Sequence, residues 1–400
     1  MIKKIPIEAL KPGMEVVQVP GELWQHLPYL YCEPGIIESE TEVARLVELG
    51  YREAFVTTEE AGDLSDEVHL ERLISGSEIG REPRERTPFG QAIASTMVTY
   101  EDAMVHAMQI VQDAKLGRKM DYATSLKTAS AIVESAVSNP DTLVCLAKLS
   151  EFDDYTYTHC INVAAISVVF GEFIGMSRDE LVLLGVAGMM HDLGKTTVPA
   201  RIINKPGPLT GPEREEVRRH PQFGCDILRH NRDIPERVIK AVMHHHERYN
   251  GSGYPAGLSR KDIPAFARIL CLADVYDALT SDRCYKDAIL PNKALGIMYG
   301  MRDQDFDPTE VQLFIKCLGI FPAGSFVKLN TGQYALVFET NSREPLNPKI
   351  RIVMDEKMNP IHTRDVDLTA QPEGDGTIEI LECADPSAYR KNLMNYLTRN

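Results

Sequence analysis

The middle of the chain carries the longest regular pattern of apolar residues, and the pattern is typical of helices. Apolar side chains recur at spacings of three and four, as on one face of an amphipathic helix, at Ile93, Met97, Tyr100, Met104, Met108 and Val111. Further helices are predicted at 125–137, 158–174, 179–193, 211–230, 235–246 and 264–280. Strand signals between these segments are few, so residues 92–320 are predicted to form one all-α domain.

The two ends of the chain have a different texture. Before residue 58, apolar runs alternate with turns, and a helix ending at Gly50 precedes a strand around residues 54–56. After residue 322 the pattern predicts strands at 326–329, 335–338, 350–354 and 378–381. The sequence thus predicts a multidomain protein, which consists of a small N-terminal α/β domain (1–58), a charged linker (59–91), the all-α domain (92–320) and a short C-terminal β module (321–400).

The net charge and the hydropathy of the chain limit which binding partners and which cellular location are expected. The 400 residues carry a formal net charge of −15, which argues against binding to duplex nucleic acid or to an anionic membrane. An anionic substrate would need a local positive site made by a metal. The longest apolar stretch, 181–190, is shorter than the ~20 residues of a membrane span, and the N-terminus has no signal-like apolar run. We therefore expect a cytoplasmic protein. The eight cysteines are scattered and form no C-x-x-C pair, so they are expected to be reduced, mostly structural thiols.

Histidine is the most informative residue type. Seven of the eleven histidines fall within 88 positions of the predicted all-α domain, and six of these are considered for metal binding. Imidazole nitrogen is a common ligand for zinc, iron and other transition metals. The six are His159, His191, His220, His244, His245 and His246.

The strongest local signal is the motif HDLGK at residues 191–195, which ends the apolar run 181–190. His191 offers a neutral nitrogen, and Asp192 offers a carboxylate able to bridge two cations. Gly194 would permit a tight turn, and Lys195 would place a charge beside a bound phosphate. The alternative is an ordinary helix C-terminus in which the basic residues complement the dipole and glycine is the cap.

Two further motifs carry metal-binding residue types. His245 and His246 lead into a glycine-rich loop that ends in Gly253-Tyr254-Pro255, and the alternative is an exposed basic helix end. Asp274 follows the apolar run 269–273, where an unpaired carboxylate would cost several kcal/mol unless it binds a metal. An N-cap or a salt bridge would explain Asp274 equally well.

In this order, HDLGK (191–195), HHExxxGSGYP (245–255) and ADVYDALTSDR (273–283) strongly resemble the HD-GYP subgroup of the HD phosphohydrolase superfamily, over residues 125–320. The resemblance also singles out His159 and the His220 of an HPxxG motif, which the residues alone would assign to core packing or capping. The segment that starts at Ile5 is similar to a domain of unknown function found ahead of HD-GYP domains. Its position alone suggests a regulatory or partner-binding role.

The resemblance implies two divalent metal ions. One would be held by His159, His191, Asp192 and Asp274. The other would be held by Asp192, His220, His245 and His246. Asp192 would bridge the two, and His244 would lie outside the ligand set. The set is rich in histidine and lacks cysteine, which suits iron, manganese or zinc. The family resemblance favours iron or manganese among these.

The resemblance also assigns the substrate contacts. They are Lys195, Gly253, Tyr254, Pro255, Arg283 and Lys286, of which Lys195, with Asp192, is expected to act in catalysis. Two residues depart from the family pattern. Tyr155 stands where some members have a glutamate that recruits a third metal, so we expect two metals. Cys284 stands where proline is usual, which weakens the assignments of Arg283 and Lys286.

The activity implied is hydrolysis of cyclic di-GMP to pGpG, GMP or both, by a hydroxide that bridges two metals. The alternatives are another HD-type phosphohydrolase, such as one for mixed cyclic GMP–AMP, and a non-catalytic cyclic di-GMP receptor or scaffold. The intact ligand positions argue against a receptor. The expected partner is the cyclic dinucleotide, and protein contacts or dimerisation would use the N-terminal domain or the GYP loop.

Overall fold

The computed structural model describes residues 2–17, 30–31, 35–49, 51–57, 86–150, 155–205, 207, 209–281, 289–371, 376–385 and 390–398. They form a helical domain with a small sheet at each end of the chain, and this confirms the predicted fold class. Within the described part of the chain, none of the helices combines the length and the hydropathy needed to span a lipid bilayer.

The N-terminal sheet has five strands, with β1 next to β5, β5 next to β2 and β2 next to β4, while β3 pairs with β5 in parallel. Its apolar face buries Ile7, Leu10, Val16 and Val56 against Leu46 of helix α1. The helix before Gly50 and the strand around residues 54–56 are confirmed. The elements are β1 (Ile2–Pro6), β2 (Glu15–Val16), β3 (Leu30–Tyr31), β4 (Gly35–Ile36), α1 (Glu40–Glu48) and β5 (Glu53–Thr57).

The helical domain is built around three apolar helices that are buried on nearly all sides, as expected of central helices. These are α5, α6 and α11, and the other helices pack around them. The helices are α2 (Phe89–Lys115), α3 (Tyr122–Ser138), α4 (Pro140–Leu149), α5 (Tyr155–Phe173), α6 (Arg178–Met190), α7 (Ala200–Ile203), α8 (Gly211–Val217), α9 (His220–Arg229), α10 (Glu236–His244), α11 (Ala265–Thr280), α12 (Pro291–Gly300) and α13 (Pro308–Leu318).

Two details of the helical prediction are wrong. The predicted helix 211–230 is two helices, because Pro221 stands in the first turn of α9, where proline has no N–H to donate to a preceding turn. In α2 the predicted residues Ile93, Tyr100, Met104 and Val111 are buried, together with small residues such as Ala103 and Ala107, but Met108 is 41% exposed. Small residues let neighbouring helices approach closely, and the spacing of large apolar residues does not register them.

The C-terminal module is a second five-stranded sheet, ordered β10-β6-β7-β8-β9 and antiparallel throughout. The predicted strands at 326–329, 335–338 and 350–354 are confirmed, while the predicted strand 378–381 lies two residues later. The elements are β6 (Phe326–Leu329), β7 (Tyr334–Glu339), β8 (Lys349–Met354), β9 (Pro360–Asp367), β10 (Ile380–Cys383) and α14 (Arg390–Thr398).

Candidate metal centre

Five helices bring the predicted ligands to one buried point. His159 lies on α5 and Asp274 lies on α11. His191 and Asp192 end α6, His220 begins α9, and the pair His245 and His246 follows α10. All seven side chains are almost fully buried. The structure therefore brings together every histidine and aspartate that the sequence assigned to metal binding.

Asp192 lies at the centre, and its two carboxylate oxygens face different groups. Its Oδ2 atom is 3.6 Å from Nε2 of His159 and 3.5 Å from Nε2 of His191. Its Oδ1 atom is 3.4 Å from Nε2 of His220. A carboxylate with one oxygen on each side has the geometry needed to bridge two cations.

Asp274 completes the first side of the cluster. Its Oδ1 atom is 3.1 Å from Nε2 of His159 and 3.9 Å from Nε2 of His191. It lies inside α11, which begins at Ala265, so the N-cap alternative is wrong. Both groups at these distances are imidazoles, which fits a ligand role better than an ordinary salt bridge.

The second side consists of imidazoles around the other oxygen of Asp192. Ligand atoms of Asp192, His220, His245 and His246 all lie within 4.8 Å of one another. His245 and His246 are 0% and 1% exposed, so the exposed helix end is wrong for them. His244 is outside this cluster, and its Nδ1 atom lies 3.4 Å from Glu247.

Four of the histidines are oriented by a hydrogen bond from Nδ1. His191, His220 and His245 donate to backbone carbonyls three residues earlier, at 2.8, 2.8 and 2.7 Å. His159 donates to Oδ2 of Asp277 at 2.7 Å. With Nδ1 occupied in this way, the Nε2 lone pairs of His191, His220 and His245 point toward the cluster when these rings are neutral, as in metal sites whose outer contacts fix the tautomer.

For His191, His220, His245 and Asp192, burial and charge favour the protonation states that bind metal. Burial lowers the pKa of His191 and His245, and it lowers the pKa of His220 to about 3. Burial acts to raise the pKa of Asp192, but Lys195 and the imidazoles outweigh it and hold that pKa well below its usual value. Neutral imidazole and ionised carboxylate are the forms that coordinate cations.

Two buried polar atoms in the cluster give a separate reason to expect bound divalent cations. Nε2 of His191 and Oδ1 of Asp192 are buried, and neither hydrogen-bonds to another described residue. A buried polar atom without a hydrogen bond costs roughly 1–3 kcal/mol, which a coordinated cation would offset. Imidazole with carboxylate suits iron, manganese and zinc.

Lys195 and Gly194 shape the turn that follows Asp192. Nζ of Lys195 lies 2.7 Å from Oδ2 of Asp192, so its charge faces the cluster. A Cβ at Gly194 would lie 1.9 Å from the carbonyl oxygen of His220. Close approach between this turn and α9 requires glycine here, and the turn is not the helix cap of the alternative interpretation.

A loop at residues 247–258, the 247–258 loop, covers the second side. The ring of Tyr254 stacks on His246, with centroids 4.8 Å apart, and Arg218 lies over the Tyr254 ring at 4.7 Å. The Glu247 carboxylate accepts hydrogen bonds from the backbone N–H groups of Ala256 and Leu258, at 2.8 and 3.0 Å. Gly253 and Pro255 flank the tyrosine in this loop.

Three of the sequence assignments lie outside the described residues. They are Arg283, Lys286 and the departure at Cys284. Tyr155 is the first residue of α5, but its side chain also falls outside the description.

Sequence reasoning missed the residues that support the ligands. Asp277 holds His159, and it also accepts a hydrogen bond from Nδ2 of Asn162 at 2.7 Å. Tyr100 in turn donates its hydroxyl hydrogen to Asn162. A signal existed for Asp277, because it follows Asp274 by one helical turn and therefore shares its face. Tyr100 had no such signal, since it looked like one more apolar position of α2.

Family comparison divides the chain into three matched regions. Residues 2–124 match a domain of unknown function (DUF3391), residues 133–309 match the HD domain, and residues 326–391 match a KOW domain associated with the HD domain. The HD match contains all seven clustered side chains.

Individual proteins are also similar to this chain. A cyclic di-GMP phosphodiesterase of Pseudomonas aeruginosa is 32% identical over 372 residues, which cover 92% of this chain and 89% of that protein. A cyclic di-GMP phosphodiesterase response regulator of Xanthomonas campestris is 34% identical over 52% of this chain and 56% of its own. A 3'3'-cGAMP-specific phosphodiesterase of Vibrio cholerae is 32% identical over 40% of this chain and 31% of its own.

Proposed function

Because this chain belongs to the family of HD-domain cyclic di-GMP phosphodiesterases, we propose that it hydrolyses the phosphodiester bonds of cyclic di-GMP to give pGpG, GMP or both. The observation that carries this function is the position of Asp192, whose two oxygens face separate groups of buried histidines. Such a site suits phosphodiester hydrolysis, in which negative charge builds on the phosphoryl oxygens.

We assign the ligands in two sets. The first set is His159, His191, Asp192 and Asp274. The second set is Asp192, His220, His245 and His246. His245 also lies near His191 and Asp274, so the two sets adjoin. Iron or manganese is favoured and zinc also suits the donors. When bound, such cations would lower the pKa of an attacking water and offset the negative charge that builds on the phosphate.

The chain's own residues prepare the site. Burial keeps His191, His220 and His245 neutral, and the hydrogen bonds from Nδ1 fix their orientation. Lys195 is proposed to place its ammonium group next to the reacting phosphate, since it already contacts the central carboxylate Asp192. In that position the charge acts on the transition state at no cost in reorganisation.

We propose that the substrate lies against the 247–258 loop. Gly253, Tyr254 and Pro255 border the second side of the cluster, where they would contact the parts of the dinucleotide away from the reacting phosphate. Arg283 and Lys286 remain proposed contacts on the family resemblance.

We also propose that the chain divides into an N-terminal domain (1–58), a linker (59–91), a catalytic domain (92–320) and a β module (321–400). Protein contacts or dimerisation would use the N-terminal domain or the loop. A cytoplasmic location is also proposed, because the six cysteines in the described regions are free thiols.

The test is to purify the full chain without oxygen, measure its metals, and follow cyclic di-GMP, 3'3'-cGAMP and pGpG by chromatography. Faster turnover of cyclic di-GMP than of 3'3'-cGAMP supports the proposal. Preference for the mixed dinucleotide would replace it with the function named for the Vibrio cholerae relative. Tight binding without turnover in the metal-loaded protein would indicate a receptor.

A further inference from the structure

A row of four alternating charges joins the N-terminal sheet to the catalytic domain. Lys4 of β1 forms ion pairs with Glu53 of β5, at 2.9 Å, and with Asp305. Asp305 lies between α12 and α13, and its other oxygen is 3.3 Å from Nε of Arg248. The side chains of Lys4, Asp305 and Arg248 are 0%, 1% and 4% exposed. Buried charges of this kind persist only when each has a partner of opposite sign.

The last charge of the row, Arg248, belongs to the start of the 247–258 loop. The turn that holds Asp305 accepts two hydrogen bonds from this backbone. Tyr249 N–H donates to the carbonyl of Asp305 at 3.1 Å, and Asn250 N–H donates to the carbonyl of Gln304 at 2.8 Å. The side-chain amide of Gln304 also donates to the carbonyl of Lys4, at 3.4 Å. Lys4 thus holds the turn, and the turn holds the start of the loop.

The rest of the loop packs directly on this held backbone. A Cβ at Gly253 would lie 2.3 Å from the nitrogen of Arg248 and 2.5 Å from Cα of Glu247. Tyr254 N–H donates to the carbonyl of His246 at 3.2 Å. With contact this close, a shift of the backbone at residue 248 must move Gly253 and Tyr254 as well.

We propose that Lys4 is a positioning residue for substrate binding, because it fixes the 247–258 loop from the N-terminal domain through Asp305 and Arg248. The proposal rests on the proposed function, since it takes Tyr254 and its neighbours to contact cyclic di-GMP. The N-terminal domain then sets the affinity for the substrate without touching it, and it acts as a working part of the enzyme.

The alternative is that the same contacts only hold two domains together. The two readings differ in where a Lys4 variant loosens the protein. A positioning role confines the effect to the 247–258 loop, whereas a purely structural role spreads it through the core helices.

The experiment uses the full-length protein and compares two variants. Lys4→Met keeps a side chain of similar length and removes its charge, and Lys11→Met makes the same change on the exposed surface of the same domain. Lys4→Met is expected to raise KM for cyclic di-GMP about tenfold, in the range of ordinary coupling between sites. It should lower the catalytic efficiency less toward bis(4-nitrophenyl) phosphate, which reacts at the metals and lacks the second nucleotide and the guanine bases that the loop is proposed to contact. Lys11→Met should behave as wild type toward both.

Hydrogen exchange gives a readout that is independent of the substrate. In Lys4→Met the amides of Tyr249, Ala256 and Leu258 should exchange faster than in wild type, while amides in the centre of α6 keep their protection. Should Lys4→Met fold poorly, Glu53→Gln removes the outer, partly exposed charge and should shift KM and loop exchange in the same direction by a smaller amount.

The outcomes separate the two proposals. A wild-type enzyme that cleaves bis(4-nitrophenyl) phosphate and ignores cyclic di-GMP defeats the proposed function, and loop exchange alone then decides the role of Lys4. Unchanged KM and unchanged loop exchange in Lys4→Met overturn the positioning role, as does faster exchange throughout α6.

Discussion

The Nδ1 atom of His159 donates a hydrogen bond to Oδ2 of Asp277 at 2.7 Å, deep inside the helical domain. Both side chains are buried, and Asn162 and Ser281 donate to the other oxygen of Asp277, at 2.7 and 3.0 Å. Burial acts to lower the pKa of His159, but the hydrogen bonds that its ring donates to Asp274 and Asp277 outweigh burial and raise that pKa to about 10. Asp277 therefore fixes the orientation of His159 within the cluster.

The first prediction concerns Asp277→Asn, which keeps the shape and removes the charge behind His159. Loss of an outer carboxylate of this kind weakens metal binding about 10–100-fold, because the histidine loses orientation and basicity. We expect a loss of this size in a chelator competition, with kcat recovering when excess metal is added.

The matched control is Asp262→Asn, on an exposed turn of the same domain, which should retain its metals. Wild-type metal retention by Asp277→Asn would show that His159 is held well enough by the packing of α5.

The second prediction concerns the central carboxylate. Asp192→Ala should remove both metals and lower hydrolysis by more than ~100-fold, since even outer-contact changes cost 10–100-fold. His191→Ala should have a similar effect on activity. Circular dichroism should stay close to wild type, because α6 packs through its apolar side chains. Near-wild-type turnover by Asp192→Ala in metal-supplemented buffer would disprove the bridging role.

The third prediction concerns stoichiometry. By the family resemblance, Tyr155 stands where some members have a glutamate that recruits a third metal, and a phenol is a poor ligand for that purpose. Elemental analysis after removal of loosely bound metal should therefore approach two metals per chain. A value near three would show that another group replaces the missing glutamate. Tyr155→Glu provides the complementary test, because it should move the value from two toward three.

The fourth prediction concerns pH and the contact between α4 and β7. Burial raises the pKa of Asp141 to about 6, against the opposing effects of Arg86 and of the hydrogen bond from Thr340. The folded protein therefore binds a proton that the unfolded chain releases near its usual pKa of 3.8. The contribution of Asp141 to the free energy of unfolding is therefore fully present below about pH 4. It falls by roughly 2–3 kcal/mol as the pH rises to about 6.

Asp141→Asn keeps an acceptor for Thr340 and cannot ionise. Its melting temperature should exceed that of wild type at pH 8 and approach it at pH 4, as measured by thermal unfolding at several pH values. Equal differences at both pH values would contradict the buried, titrating carboxyl.

The parts of the fold that the sequence predicted are those with strong local patterns. The strand 326–329 was predicted to the residue because its apolar residues stand between clear turns. β9 was missed because it begins at Pro360, exposes half of its side chains and buries none of the rest fully, so it shows no apolar alternation. Its partner β8 holds it through backbone hydrogen bonds, and these leave no mark in side-chain hydropathy.

The same limit applies to the site. His191 and Asp192 stand in a recognisable motif, and the structure places them together with the five other predicted ligands. Lys4 and Asp305 could not be predicted, because their meaning comes from a contact between residues 301 positions apart in the chain. A lysine in a short N-terminal strand reads locally as a surface residue, and only the tertiary structure buries it.

The last prediction separates binding from chemistry. Tyr254→Ala should raise KM for cyclic di-GMP more than it lowers kcat, because the residue is proposed to hold the substrate away from the reacting phosphate. Lys195→Ala should mainly lower kcat, because its charge faces Asp192 and acts most strongly as the transition state forms.

Tyr254 also stacks on His246, so Tyr254→Ala alone could disturb a metal ligand. Tyr254→Phe is the matched variant, since it keeps the stacked ring and removes only the hydroxyl. We expect Tyr254→Phe to keep both metals and most of kcat, so that a rise in its KM reports a contact of the hydroxyl with the substrate. A collapse of kcat at unchanged KM and unchanged metal content in either Tyr254 variant would place Tyr254 in the catalytic step and refute this division of roles.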